Sequence, residues 1–372
     1  MLAPPWIAIP APGYGGIEEV VRLLCDGFVA RGHDVTLFAA PGSHSRATVR
    51  SVLEDDHPDE IERALWEVDH VARVFGMLDE AAAGGVPYDV LHDHCGFTAL
   101  AMADRVETPV VHTLHGPFVE GTLRYYAVHG HKATVVALSA SQRAAGPPAL
   151  RDVAIVANPI AIQEWPFRAR RGEHLLWIGR IEEVKGPHRA IAVAREAGVP
   201  LVIAGPVQPG HEEFFAREIE PHLGRDGVRY VGEIGSDEKK ALFAAARGLL
   251  MPIRWREPFG LVMIEAMACG TPVIAFREGA AVGIVRDGET GFLVDDEQAM
   301  VDAIGRLDEI DRARCRESAR ERFDVPVIVR GYEAVYARAV RPTRGRFAAR
   351  IGAGPPPRAP RAQAPAPSVT SP

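Results

Sequence analysis

Short apolar runs alternate with stretches of helical spacing along nearly the whole chain, and this alternation limits the possible folds more than any other feature. In the first half the apolar runs fall at 34–40, 89–94, 110–115 and 134–139, with helical patterns that include 17–30 and 59–81. In the second half they fall at 175–179, 201–205, 228–231, 249–253 and 273–276. Val, Ile and Leu fill them without polar alternation, which suits parallel strands covered on both faces. Strand and helix in regular succession predict a doubly wound α/β fold.

The chain has 372 residues, and single cores stop growing beyond roughly 250–300 residues, so two domains are expected. The break falls at 158–172, where Pro159, Pro166 and the basic Arg168, Arg170 and Arg171 read as a linker. That gives a first Rossmann-like domain over 1–157, a second over 173–322, and a closing helix over 323–340. The tail 341–372 holds six Arg, eight Pro and no acidic residue. It has little to bury and is expected to be disordered. One strand looks short: a first strand should precede the Gly-rich loop at Gly13, yet Pro4, Pro5, Pro10 and Pro12 crowd that segment. Either the strand is very short or it begins upstream.

A net charge of −7 argues against a nucleic-acid binder with a wholly basic surface. Cys25, Cys95, Cys269 and Cys315 are far apart with no CxxC pair, which suits reduced thiols in a core better than a disulfide frame or a zinc site. No apolar run reaches the roughly 18 residues of a membrane helix. The N-terminus has neither the basic nor the apolar region of a signal peptide. A cytoplasmic location is therefore expected. Peripheral membrane contact, for instance through the basic tail, stays open, and oligomeric state is not legible.

The segment from Glu257 to Met267 is the most specific signal. Glu257 follows an apolar run, Gly260 opens a helical stretch, and Glu265 lies in its second turn. Such a loop presents a carboxylate and the free N–H groups of a helix start at one place. The helix start favours a phosphate. A carboxylate accepts well from vicinal sugar hydroxyls. With the flanking sequence from Ala268 to Ala275, the pattern resembles the E-x7-E motif of retaining glycosyltransferases of family 4, which have the GT-B fold of two Rossmann-like domains facing across a cleft. The likeness runs from about Gly13 to Val340.

The resemblance implies that Glu257 contacts the donor sugar and Glu265 the nucleotide ribose, with Phe259, Gly260 and Leu261 at the donor. Arg180 and Lys185 are two cations on one strand-to-helix loop, suited to the charge that develops on a leaving pyrophosphate; in the family the corresponding pair binds the donor diphosphate. The loop from Gly13 to Glu19 carries Gly15 and Gly16 before a helix, which allows close backbone approach to an anion. Glu18 stands where a dinucleotide fingerprint needs its third Gly. By resemblance Gly15 and Gly16 face the donor across the cleft. His115 ends an apolar run, and in the family a His there lies near the donor sugar. His92 and His94 share one face of a strand but are expected to pack or to line the acceptor side, since GT-B transferases do not usually need a metal. The chain departs from the family where Val282-Gly283 replaces a common Pro-Glu pair.

The expected function is retaining transfer of a sugar from a UDP-, GDP- or ADP-sugar to an acceptor hydroxyl, with no cofactor. His115, Glu257, Arg180 and Lys185 would form the catalytic set. The first domain would hold the acceptor and the second the nucleotide sugar, and the closing helix would cross back to the first domain, with Tyr332 and Tyr336 as packing residues. A same-fold nucleotide-sugar epimerase and a non-catalytic nucleotide-sugar-binding protein are the alternatives.

Overall fold

The structure is a computed structural model that describes residues 1–351 apart from 12, 14, 62, 151 and 152; of 341–351 it describes the backbone alone. Among the described residues the strands are β1 (Thr36–Phe38), β2 (Thr48–Arg50), β3 (Leu91–Asp93), β4 (Val110–Thr113), β5 (Thr134–Ala137), β6 (Ala154–Ile155), β7 (Leu175–Ile178), β8 (Leu201–Ala204), β9 (Val228–Tyr230), β10 (Gly248–Met251), β11 (Val273–Phe276) and β12 (Gly291–Val294). The second sheet runs β12-β11-β10-β7-β8-β9, and every pairing in it is parallel. The order reverses between β7 and β10, which leaves a crevice at the carboxyl ends of those strands. Strands β7, β8, β10, β11 and β12 are buried at every position. That is why they read as unbroken apolar runs rather than as alternating ones.

The first sheet pairs β3-β4-β5-β6 and β1-β2, again in parallel. Met1–Ala3 fills the gap between the two groups. Leu2 bridges both Phe38 and Asp93, donating its N–H to His92 O at 2.8 Å and accepting from His94 N at 2.9 Å. Met1–Ala3 thus stands in the first-strand position, and Pro4, Pro5, Pro10 and Pro12 follow it in the chain. Sequence patterning did not reveal β2, because Thr48–Arg50 is a half-exposed edge. The helix expected over 59–81 runs from Ala64 to Ala83, after a short 3-10 turn at Pro58–Glu60.

The segment expected to be a linker is packed. Ile160 and Ile162 belong to the core of the second sheet. The buried Arg312 donates to Arg168 O, Ala246 O, Ala244 O and Thr271 Oγ1, which ties the segment to the sheet. The last helix, Val325–Ile351, lays Ile328, Val329, Tyr332 and Val335 against Val20, Leu24 and Phe28 of the helix Gly16–Ala30. It thus starts beside the second sheet and covers the first. The helix backbone continues through 341–351, where four Arg and two Ala favour it against Pro342 and Gly345. Residues 352–372 lie outside the described residues.

Candidate active site at the facing carboxyl ends of the two sheets

The sequence-predicted residues stand beyond carboxyl ends of strands: Arg180 and Lys185 after β7, Glu257 after β10, and His115 after β4. Lys185 and Glu257 are 72 positions apart and meet directly, Nζ lying 2.6 Å from Oε2. Trp255 Nε1 donates to the same oxygen at 2.8 Å, and the Lys185 ammonium sits 4.8 Å from the Trp255 ring centroid. The carboxylate is therefore held from two sides. Its loop is also fixed from behind. Gly279, at φ 53, packs so closely that a methyl there would lie 2.6 Å from Glu257 N, and Ala280 N donates to Glu257 O at 3.0 Å. Arg180 is on the same loop as Lys185 but turns to Glu182, Nε to Oε1 3.1 Å, and is about two-fifths exposed.

Gly260 adopts φ 87, ψ 73 and opens the helix Leu261–Ala268 without a side-chain cap. A residue with a Cβ pays strain in that left-handed region. The first N–H groups of the helix are left for an incoming acceptor, and its dipole favours an anion there. Across from this helix start stands the glycine loop of the first sheet. A methyl on Gly16 would lie 3.3 Å from Leu261 Cδ1, and one on Gly15 would fall 2.3 Å from Ala11 Cβ and 2.9 Å from Glu18 Oε2. A side chain is blocked at Gly15, whereas at Gly16 the tip of Leu261 would have to give slightly. The Phe259 ring is buried against Phe323, centroids 5.9 Å apart, so its apolar side chain joins the core while its backbone leads into the helix start. Glu265 is 7% exposed, and its Oε1 is held by Lys239 Nζ at 2.6 Å.

On the first sheet, His115 Nε2 lies 2.8 Å from His94 Nδ1. His94 packs on His92, and His92 bonds Tyr336 OH and Thr113 Oγ1 at 2.6 and 2.8 Å. Burial, with His112 nearby, pushes the His115 imidazolium down to about 3. Burial first, then neighbouring imidazoles and the N-terminal ammonium, hold His94 and His92 well below the usual range. The cluster is thus neutral at pH 7, and in the His94–His115 pair one ring donates while the other accepts. His115 can act on a ligand as a hydrogen-bonding group but not as a cation.

Several residues that hold the site escaped sequence reasoning. Gln142 donates through Nε2 to Leu114 O and Gly116 O, both at 2.9 Å, and so clamps the chain on either side of His115. Ser139 caps the helix Ala140–Ala145 and donates to Pro258 O at 2.8 Å, joining the first sheet to the Glu257 loop. Ser139-Ala140-Ser141-Gln142 has the S-x-x-Q spacing of a capping box, which was a readable signal for the helix start though not for the contact. Lys239 left no signal because its partner Glu265 is 26 positions away, and Trp255, though two residues from Glu257, precedes the motif. Among the described residues, no group of three or more His, Cys, Asp or Glu side chains is placed to hold a metal ion.

The fold has solved counterparts. The crystal structure of AviGT4, a glycosyltransferase involved in avilamycin A biosynthesis, superposes with a TM-score of 0.68 at 24% identity over 91% of this chain and 97% of the other. Anabaena HepE in complex with UDP and glucose gives 0.70 at 20% identity over 91% and 99%; HepE has also been solved with UDP-glucose. Residues 14–145 match the family model described as Glycosyltransferase Family 4, and residues 164–322 match Glycosyl transferases group 1. The chain belongs to the GT-B glycosyltransferases. Among curated relatives, this glycosyltransferase is 27% identical to glycogen synthase of Mycobacterium tuberculosis over 74% of its own length and 78% of the relative's. It is 29% identical to D-inositol 3-phosphate glycosyltransferase of Acidothermus cellulolyticus over 81% and 80%. No helix among the described residues is long and apolar enough to cross a membrane.

Proposed function

We propose that this glycosyltransferase moves a sugar from a nucleoside diphosphate sugar to an acceptor hydroxyl and retains the anomeric configuration. The observation that carries the reading is the Lys185–Glu257 pair, 2.6 Å long, beside the uncapped helix start at Gly260. A cation and free N–H groups suit a diphosphate, and an adjacent carboxylate suits sugar hydroxyls. That UDP and UDP-glucose occupy the similarly folded HepE supports the same donor class here.

On this reading the diphosphate takes the helix start and draws Lys185 from Glu257 toward itself, while Arg180 leaves Glu182 to join it. Glu257 then accepts from the sugar hydroxyls and Glu265 from the ribose. Neutral His115 hydrogen-bonds the donor sugar from the first domain, where the acceptor binds. The sugar–phosphate bond breaks and the acceptor oxygen attacks from the same face. The leaving phosphate receives the acceptor proton. Closure of Gly15 and Gly16 onto the Leu261 helix excludes water and limits donor hydrolysis. The test uses water as the surrogate acceptor: UDP-, GDP- and ADP-sugars are incubated with the protein and the released sugar is followed by NMR before it mutarotates. Release of the donor's own anomer is expected. Release of the opposite anomer would overturn retention.

A further inference from the structure

Resting on the donor-site reading above, we propose that Lys239 is a positioning residue of this site, which fixes Glu265 so that one carboxylate oxygen is free to accept from the donor ribose. Lys239 lies on the helix Ser236–Ala245, outside every motif that marks the donor site. Its ammonium reaches Glu265 Oε1 at 2.6 Å, with the Glu265 side chain 9% and the Lys239 side chain 28% exposed. The other oxygen, Oε2, is buried and has no hydrogen-bond partner. A buried carboxylate oxygen without a partner is costly, and a position that keeps one is shaped for a donor that arrives later.

Lys239 does two things to this carboxylate. It supplies a counter-charge to the largely buried Glu265 carboxylate, 2.6 Å from Oε1. It also occupies Oε1, which leaves a single orientation for Oε2. The ring of Trp165, 5.9 Å from the Lys239 ammonium, limits where that ammonium can go. Lys185 stands to Glu257 as Lys239 stands to Glu265, at the same 2.6 Å. Both carboxylates of the motif are thus charge-paired, and only the second retains an unpartnered buried oxygen.

The test is calorimetric binding of UDP, GDP and ADP, followed by the 2′,3′-dideoxy form of whichever binds, to the full chain, Lys239→Met, Lys239→Arg, Glu265→Gln and the double variant Lys239→Met/Glu265→Gln. The native chain should prefer the ribose form by roughly tenfold or more, the worth of a charge-assisted hydrogen bond. Lys239→Met should lose most of that preference while keeping its affinity for the dideoxy form, Lys239→Arg should restore it, and Lys239→Met should add nothing on the Glu265→Gln background. Retention of the ribose preference by Lys239→Met, or a further loss in the double variant, would overturn the proposal while leaving the donor site intact. Binding of none of the three diphosphates by folded native protein would overturn the donor site, and this inference with it.

Discussion

The Lys185 ammonium and the Glu257 carboxylate share a 2.6 Å ion pair that joins the loop after β7 to the loop after β10. On the proposed reading, the pair holds together two groups with different partners, Lys185 for phosphate and Glu257 for sugar. Glu257→Gln should therefore separate the two roles. It frees Lys185, so the nucleoside diphosphate alone should bind at least as tightly as to the native chain. Turnover should fall by roughly 100-fold, the scale for loss of one preorganised electrostatic group. Calorimetry beside a donor-hydrolysis assay reads both. Loss of diphosphate binding together with turnover would mean that Glu257 does not restrain Lys185.

Gly279→Ala tests how the Glu257 loop is held. The position has φ 53, and the added methyl would meet Glu257 N and O at 2.6 and 2.8 Å. The left-handed backbone alone costs about 1–2 kcal/mol for a residue with a Cβ, and a backbone neighbour cannot swing aside. The variant should melt lower and turn over more slowly. Unchanged values for both would show that the loop adapts freely.

The legibility of this chain in sequence followed burial. Strands β10 and β11 are wholly buried, so their apolar runs were easy to find. The half-exposed β2 carried no such pattern, and the Met1–Ala3 stub was hidden by the prolines that follow it. The motif residues Lys185, Glu257, Gly260 and Glu265 were readable because their spacing is local to two loops. Their partners were not. Lys239 is 26 positions from Glu265 and Ser139 is 119 from Pro258, and a contact across such distances is set by tertiary packing. Arg180, visible in the motif, turns to Glu182, which only geometry could show. The motif placed Phe259 at the donor but gave no sign that its ring packs into the core against Phe323.

Acid should destabilise the fold earlier than carboxylate titration would. Burial pushes His70 down to about 4 and His115 to about 3, and holds His92 and His94 well below the usual range. In the unfolded chain these rings titrate near the ordinary value, about 6.5. The unfolded state thus binds more protons below that value, so their contribution is full above about pH 6.5 and is lost as pH falls toward 4. The melting temperature should drop between pH 6.5 and 5, before the ordinary carboxylates protonate. A flat profile across that window would contradict the buried neutral cluster.

The closing helix is expected to be essential to the fold of the first sheet. Tyr332 is 1% exposed and bonds Thr113 Oγ1 at 3.0 Å. Tyr332→Ala removes a buried aromatic, worth about 3–5 kcal/mol by analogy with Phe→Ala, whereas Tyr332→Phe should cost only about 1 kcal/mol for the hydrogen bond. Denaturant unfolding of both variants checks the ratio. Equal, small losses would mean that the helix is not part of the core.

The most direct measurement is calorimetry of UDP, GDP and ADP against the native chain and Lys185→Ala. One diphosphate should bind, and its affinity should fall by roughly tenfold or more without the ammonium, as for a charge-assisted contact. Equal affinity in Lys185→Ala, or no binding of any diphosphate to folded native protein, would contradict the placement of the donor at Lys185, Glu257 and the Gly260 helix start.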